Sequence, residues 1–434
     1  MTRAGTTPYD TAFWQAALYR PETLLPADLG TARPADHATQ PAPVKSYPGR
    51  PRFDLAAPAL LLERTAHGAD GLDGELLATL LHYSFGLVRH DLGPRSWPFH
   101  RAVASARCFY PTELYLCLPA GRQRPSGVYY FDPMHHQLVL LREQSGPATE
   151  AMAVLTSRFE KTGHRYGRYA PRLCAQEAGM VAGSVELVGR ALGLRVSVDE
   201  RTDAASALGP EQVDLAELLE PVGEQVMAVL RLADSDSGGT DTGAVELAQV
   251  LRSRNSGGWL FDPQPRPAPR AALDDIAQAV AATPLDSSCF VAVRAVAGLA
   301  QGIHRIDPAS GALEPLREGP VVAALQHVGE IDGRVSMNYA AAGLVAYLAV
   351  PREQAELADG GDSFRRLHIA AGTAAHRISV AGARHGLATR IHNGYRAHRA
   401  EELLGLAGTG STVVFQLAIG FAAPAPTFQL PVLF

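Results

Sequence analysis

Ala178–Leu194 reads AGMVAGSVELVGRALGL, and 193 residues further on Ala371–Leu387 reads AGTAAHRISVAGARHGL without a gap. Ala, Gly, Ala, Gly and Gly-Leu recur at matching places. Apolar residues fall at Val181, Val185, Val188, Ala191 and Leu192, a helical rhythm. The small residues among them let another helix approach closely. Gly193 and Gly386 stand where a left-handed residue ends a helix. A second echo precedes the first. Gly127–Glu143 reads GVYYFDPMHHQLVLLRE and Gly302–Glu318 reads GIHRIDPASGALEPLRE, with Gly, Asp-Pro, Leu, Leu and Arg-Glu in register. Two echoes in the same order imply a duplicated domain whose halves have diverged.

Working outward, 434 residues exceed one ordinary domain, and 47% hydrophobic with 19% charged residues is normal for a globular chain. The net charge of -5 gives no basic face for nucleic acid. The longest apolar run, Ala340–Val350, is too short to span a bilayer, and MTRAGTTPYD has no apolar signal region, so the expected place is the cytoplasm, with no membrane partner. Cys108, Cys117, Cys174 and Cys289 have no CxxC spacing and read as reduced thiols. No His has a carboxylate or Cys at ligand spacing, so no metal is expected.

In order along the chain, residues 1–55 read as an N-terminal arm with a short helix near Thr11–Leu18, and Gln40–Leu55 as mostly loop. Residues 56–232 form a first domain. It has a helix over Leu72–Phe85, a strand TELYLCL and a hairpin over Val128–Leu141 turning at Asp132-Pro133. A helix follows over Thr149–Phe159, then the repeated helix, a short helix over Val213–Leu219 and a strand over Val226–Leu232. Residues 233–243, rich in Gly, Ser, Asp and Thr, read as a linker. Residues 244–434 form a second domain. Its helices are expected over Ala244–Leu251, Ala271–Ala282, Pro320–Val328 and Ala397–Leu404, and its strands over Phe290–Val296, Leu344–Val350 and Thr412–Ile419. The apolar, Pro-rich Phe421–Phe434 is expected to lie on another surface.

The alternation of helices and strands in both halves gives an α+β class. QPAPVKSYPG, LLHYSFGLV, RAVASARCFYPTELYL, GVYYFDPMHHQLVLL and HRYGRYAPRLCAQEAG resemble successive segments of the SagB/ThcOx-type dehydrogenases of the FMN-dependent nitroreductase superfamily. The resemblance covers roughly residues 37 to 232. In the second half, LRSRNSGGWLFDP is similar to the superfamily's RRS opening, and HNGYRAHRAEELLGL to its Gly-containing segment before the last helix. The resemblance implies two nitroreductase-like domains fused as an intramolecular pseudo-dimer. It implies FMN at one hybrid site, with Arg252, Arg254, Ser256, Asn393 and Gly394 from one half and Ser105, Ala106 and Arg107 from the other.

Arg252, Arg254 and Ser256 could converge on the phosphate dianion; they also read as a basic helix end. Gly394 would let backbone approach the flavin, and His392-Asn393-Gly394 also reads as an ordinary turn. Where the family has a Lys-Tyr pair for proton transfer, this chain has Arg165-Tyr166. Tyr166 reads as an acid or base, or as a packing aromatic; Arg165 supplies charge and is a poor base. The activity implied is oxidation of a thiazoline or oxazoline to the azole in a ribosomally made peptide. That peptide is the substrate, and a cyclodehydratase or other biosynthetic enzymes are the partners. The alternatives are another flavin-dependent step in natural-product biosynthesis, or a flavin-free peptide-binding, scaffolding subunit of a synthetase complex.

Overall fold

The computed structural model describes residues 11–27, 29, 40–60, 72, 74–92, 98–144, 150–199, 224–234, 244–257, 261–264, 266–283, 287–331, 333–335, 337–353, 362–424, 429–432 and 434. The expected helix over Val213–Leu219 and residues 235–243 of the expected linker lie outside them. The chain forms two compact units. The first holds Pro26–Arg252 with Thr427–Phe434, and the second holds Ser253–Pro426 with Met1–Leu25.

The first unit is built on a seven-stranded antiparallel sheet. Its order is Arg52–Asp54, Gln137–Glu143, Gly127–Asp132, Thr112–Leu118, Ala151–Arg158, Glu224–Asp234, Leu194–Asp199. The second has a six-stranded antiparallel sheet: Leu313–Glu318, Gly302–Ile306, Ser288–Val293, Leu344–Pro351, Ser411–Phe421, Leu387–His392. Apart from the edge strand Arg52–Asp54, the order along the chain and across the sheet is the same in both. In each unit a long helix, Ala170–Ala191 or Asp362–Arg384, precedes the final two strands and packs with a shorter one, Gly74–Ser84 or Arg270–Ala281.

The duplication extends to details that sterics dictate. The register slips between Val128 and Tyr129 in one hairpin and between Ile303 and His304 in the other, the same place. A second pair of slips, Leu155/Thr156 and Leu348/Ala349, is likewise equivalent. Gly127 and Gly302 sit where a Cβ would lie 2.5 Å from the Arg142 carbonyl oxygen and 2.2 Å from that of Arg317. Both hairpin turns are held by the first Asp. Asp132 Oδ1 accepts from the N–H of Met134 at 3.0 Å, and Asp307 Oδ1 from that of Ser310 at 2.7 Å. Gly193 and Gly386 are left-handed, with φ of 81° and 71°, as a helix end requires.

Two expectations change. Ala151–Arg158 is a strand, not part of a helix, and all eight residues are buried. A strand covered on both faces shows no alternation, so its apolar run cannot be told from a helix. Arg52–Asp54, inside the Pro-rich loop, adds an edge strand against Gln137–Val139. Gly189 and Gly382 of the long helices stand against the strand that follows. A Cβ on Gly189 would lie 2.6 Å from Val196, and one on Gly382 3.2 Å from the equivalent Thr389. Leu80 of the Gly74–Ser84 helix stands further off Gly189, at 3.9 Å.

The first and last described elements make specific contacts. The helix Thr11–Tyr19 belongs to the second unit: Phe13 stacks edge-on against Phe364, and the Tyr19 hydroxyl donates to Glu401 at 3.0 Å. Gln429–Pro431 pairs with Leu87–Asp91 of the first unit, and Phe434 stacks on His136 with centroids 4.7 Å apart. Replacing Gly127 or Gly302 by Ala forces a methyl into a carbonyl of the partner strand. Each substitution is expected to lower stability by about 1–3 kcal/mol, as overpacking does. Chemical denaturation of both variants checks it; a loss in only one would contradict the equivalence.

Candidate functional site

Side chains that carry chemistry gather in the first unit around Thr112–Leu118. Three carboxylates, Glu113, Glu177 and Glu224, are buried there. Glu113 lies 3.5 Å from both Arg158 and Lys161 and accepts from the Tyr130 hydroxyl at 3.0 Å. Lys161 Nζ donates to the carbonyls of Tyr110 (2.6 Å) and Pro43 (2.7 Å). Glu224 pairs with Lys45 at 2.7 Å and accepts from the Tyr115 hydroxyl at 2.9 Å; Tyr115 also bonds to Lys45. The half-buried Tyr47 hydroxyl is 3.1 Å from that of Tyr115. A hydrogen-bonded path therefore runs from Tyr47 through Tyr115 to Glu224, and such a path can pass a proton inward.

Burial pushes Glu177 and Glu224 above the usual carboxylate range, against the pull of Ser105 on one and Lys45 on the other. Burial pushes Lys161 down, against the attraction of Glu113. Buried cations tolerate their surroundings only while paired. Glu113→Gln removes the charge shared by Arg158 and Lys161 and is expected to cost about 3–5 kcal/mol in denaturant unfolding; a loss below about 1 kcal/mol would show that the network is electrostatically slack.

These ions also fix the Ser105 loop. Arg107, Cys108 and Tyr110 all have positive φ, at 53°, 58° and 48°. Non-glycine residues hold that region only where surroundings over-determine it, and such segments cluster at functional sites. Here Ser105 Oγ accepts from the Tyr110 N–H at 2.9 Å and bonds to Glu177, and Lys161 holds the Tyr110 carbonyl. Ser105 and Ala106 are half-buried, and Arg107 is exposed at the tip.

In the second unit the two motif segments meet. Asn255 accepts at its carbonyl from the Thr389 N–H, 3.1 Å, so the Arg254–Gly257 loop docks on the strand that ends at His392. Asn255 Oδ1 accepts from Gly257 N–H at 2.9 Å, and Gly257 has φ of 71°. Arg254 is buried, and Ser256 is half-buried beside it. Gly394 N–H donates to His392 Nδ1 at 3.2 Å, and a Cβ on Gly394 would lie 2.3 Å from that ring. The backbone at 394 is therefore bare because His392 occupies the side-chain volume. Asn393 stands between them, half-buried.

Arg252 is the last residue of the first unit before the second begins. Its guanidinium bonds to the Tyr83 hydroxyl and to the Leu60 carbonyl at 3.2 Å. Tyr166 ends the helix Phe159–Tyr166, half-buried, and Arg165 beside it donates to the Leu29 carbonyl at 3.0 Å. Lys45, Tyr47, Tyr115, Glu177, Glu224 and Lys161 were not singled out from the sequence. The available signal was charge inside apolar runs, as in LCAQEAGMV and EQVMAVL. Among the described residues no group of three or more His, Cys, Asp or Glu could hold a metal ion, and no helix is long and apolar enough to cross a membrane.

No family model and no curated protein matches the chain. A nitroreductase-like protein from Anabaena variabilis ATCC 29413 matches in structure with a TM-score of 0.73 at 18% identity, covering 96% of this chain and 100% of that one. The fold is nitroreductase-like. It is present twice, once in each unit. A nitroreductase-like protein from Ralstonia eutropha JMP134 overlaps 46% of this chain and 89% of its own, at 19% identity and a TM-score of 0.28. The E. coli microcin synthetase McbBCD complex with truncated pro-MccB17 overlaps 52% and 91%, at 19% identity and 0.29.

Each nitroreductase-like unit also carries neutral buried histidines. Burial pushes His82 and His376 down to about 3, helped by His136 and Arg252 for one and by Arg254 and Arg377 for the other. Both folded-state values lie below the unfolded 6.5. Their contribution is therefore complete above pH 6.5 and lost as pH falls from there toward 3. Unfolding free energy should drop by about 1.4 kcal/mol per pH unit for each histidine in that window. Denaturation at pH 7, 6 and 5 checks the slope; His376→Leu should flatten it, and an unchanged slope would contradict the assignment.

Proposed function

We propose that this chain is an FMN-dependent oxidoreductase that oxidises azolines, thiazoline or oxazoline, to azoles in a ribosomally made peptide. The observation that carries the proposal is the duplicated nitroreductase-like fold. The SagB/ThcOx-like segments of the first unit give the substrate class. A cyclodehydratase or another enzyme of the same biosynthesis is the partner that such a substrate requires.

The donor set fits FMN in part. Arg254 and Ser256 suit a phosphate dianion. The side-chain-free backbone at Gly394, next to Asn393, suits close approach of a ring edge. The Ser105–Arg107 loop, with Arg107 at positive φ and Ser105 bonded to Glu177, is assigned to the flavin as well. Arg252 does not fit, because Tyr83 and the Leu60 carbonyl occupy its guanidinium. FMN, when bound, supplies the hydride acceptor. The chain's own task is the proton, which we assign to the Tyr166 hydroxyl, with Arg165 as a neighbouring charge. The engaged Arg252 favours one second reading, a flavin-free peptide-binding subunit.

Purified protein is expected to show flavin absorbance, and an azoline peptide to lose two hydrogens per ring. Arg254→Ala removes a charged hydrogen bond of about 1.5–3 kcal/mol and should weaken FMN binding by about tenfold or more. Tyr166→Phe should keep FMN and lose about 10²–10⁴-fold in rate. Protein that is colourless and takes up no added FMN would overturn the enzyme and leave the second reading. Full activity in Tyr166→Phe would move the proton to another group.

A further inference from the structure

Asp91, His100 and Cys108 come together in the first unit, outside the residues assigned to flavin. Asp91 and His100 lie on the paired strands Leu87–Asp91 and Phe99–Arg101, and Cys108 on the loop that follows. Cys108 Sγ is 3.7 Å from His100 Nδ1. The other ring nitrogen, Nε2, is 3.9 Å from Asp91 Oδ2. Asp91 is 1% exposed and His100 6%. Cys108 is half-buried, whereas Cys117, Cys174 and Cys289 are buried and pushed up to about 12 by that burial.

The two ring nitrogens face different partners, so the three groups form a line rather than a chelating cluster. A carboxylate on the Nε2 side favours the proton there and turns the Nδ1 lone pair toward the thiol. The ring can then take the thiol proton at Nδ1, and Asp91 stabilises the imidazolium, the same division of roles as in nucleophile–base–orienter sites. A thiolate is the reactive form of cysteine, and a neighbouring imidazolium is one of the environments that favour it. Disulfide exchange suits the arrangement. Its leaving group is already a stable thiolate and needs only a proton, with no oxyanion to stabilise.

We propose that Cys108, His100 and Asp91 form a nucleophilic thiol site that accepts a small disulfide and becomes a mixed disulfide. Cys108 gives its proton to His100, its sulfur attacks one sulfur of the incoming disulfide, and the old S–S bond breaks. The departing thiolate takes up the proton. Cys108 is oxidised, and the small disulfide is reduced to one free thiol and one protein-bound half. The site does not depend on the flavin assignment.

The test uses the full-length protein and 5,5′-dithiobis(2-nitrobenzoic acid), read by absorbance, with peptide mass mapping of the adduct. One thiol per chain, Cys108, is expected to react at pH 7 about tenfold faster than N-acetylcysteine, since an ordinary thiol is only about 3% thiolate there. His100→Gln should slow that thiol by about tenfold and Asp91→Asn by less, while the other three cysteines stay unreactive. Cys108→Ser should abolish the fast phase. Three results would overturn the proposal: a fast adduct on another cysteine, a wild-type rate no greater than that of N-acetylcysteine, or an unchanged rate in a folded His100→Gln protein. If His100→Gln unfolds, all four thiols react, and the wild-type comparison decides alone.

Discussion

The structure depends on one steric constraint met twice: a long helix must lie against its own sheet closely enough to be buried along most of its length. Gly189 and Gly382 allow it. Each stands where the strand after the helix crosses, and each would place a Cβ against the same strand position, Val196 or Thr389. With the helix so close, the turn at Gly193 or Gly386 can be short, and the following strand enters the sheet at its edge beside the penultimate one. The equivalent bulges and the equivalent hairpin glycines follow the same logic. They are places where backbone meets backbone, and only a shifted register or a missing side chain resolves the clash.

Within that shared frame the units differ in what they bury. The first places Glu113, Glu177 and Glu224 with Lys45, Arg158 and Lys161 beneath the Ser105 loop. Such a network is a poor way to add stability, because desolvation offsets most of the attraction. It is a good way to hold backbone in a conformation it would otherwise leave. Lys161 grips the Tyr110 carbonyl, Glu177 grips Ser105, and these two grips hold the segment in which Arg107, Cys108 and Tyr110 have positive φ. The second unit instead uses backbone bonds and a glycine, docking Asn255 on Thr389 and leaving residue 394 bare. Divergence after duplication has thus separated two ways of shaping a loop.

Much of this was legible in the residues. The two echoes, at their separate spacings, gave the duplication. Helix ends followed from Gly193 and Gly386, and TELYLCL and Ala397–Leu404 matched their elements residue for residue. Ala151–Arg158 was not legible, because burial on both faces erases the alternation by which a strand is recognised.

The sequence by itself determined what depends on local sterics and periodicity: two copies of one α+β fold, their order of elements, and the segments that resemble a dehydrogenase family. Only the tertiary structure decided which charged groups share a neighbourhood. Lys45 and Glu224 lie far apart along the chain yet 2.7 Å apart in space, and Asp91, His100 and Cys108 follow no motif spacing. It also decided that Arg252, in the motif alongside Arg254, is held by Tyr83. The physical reason is that helix and strand formation are governed by neighbours in sequence, whereas the pairing of a buried charge is governed by desolvation, which depends on whatever the whole fold packs around it.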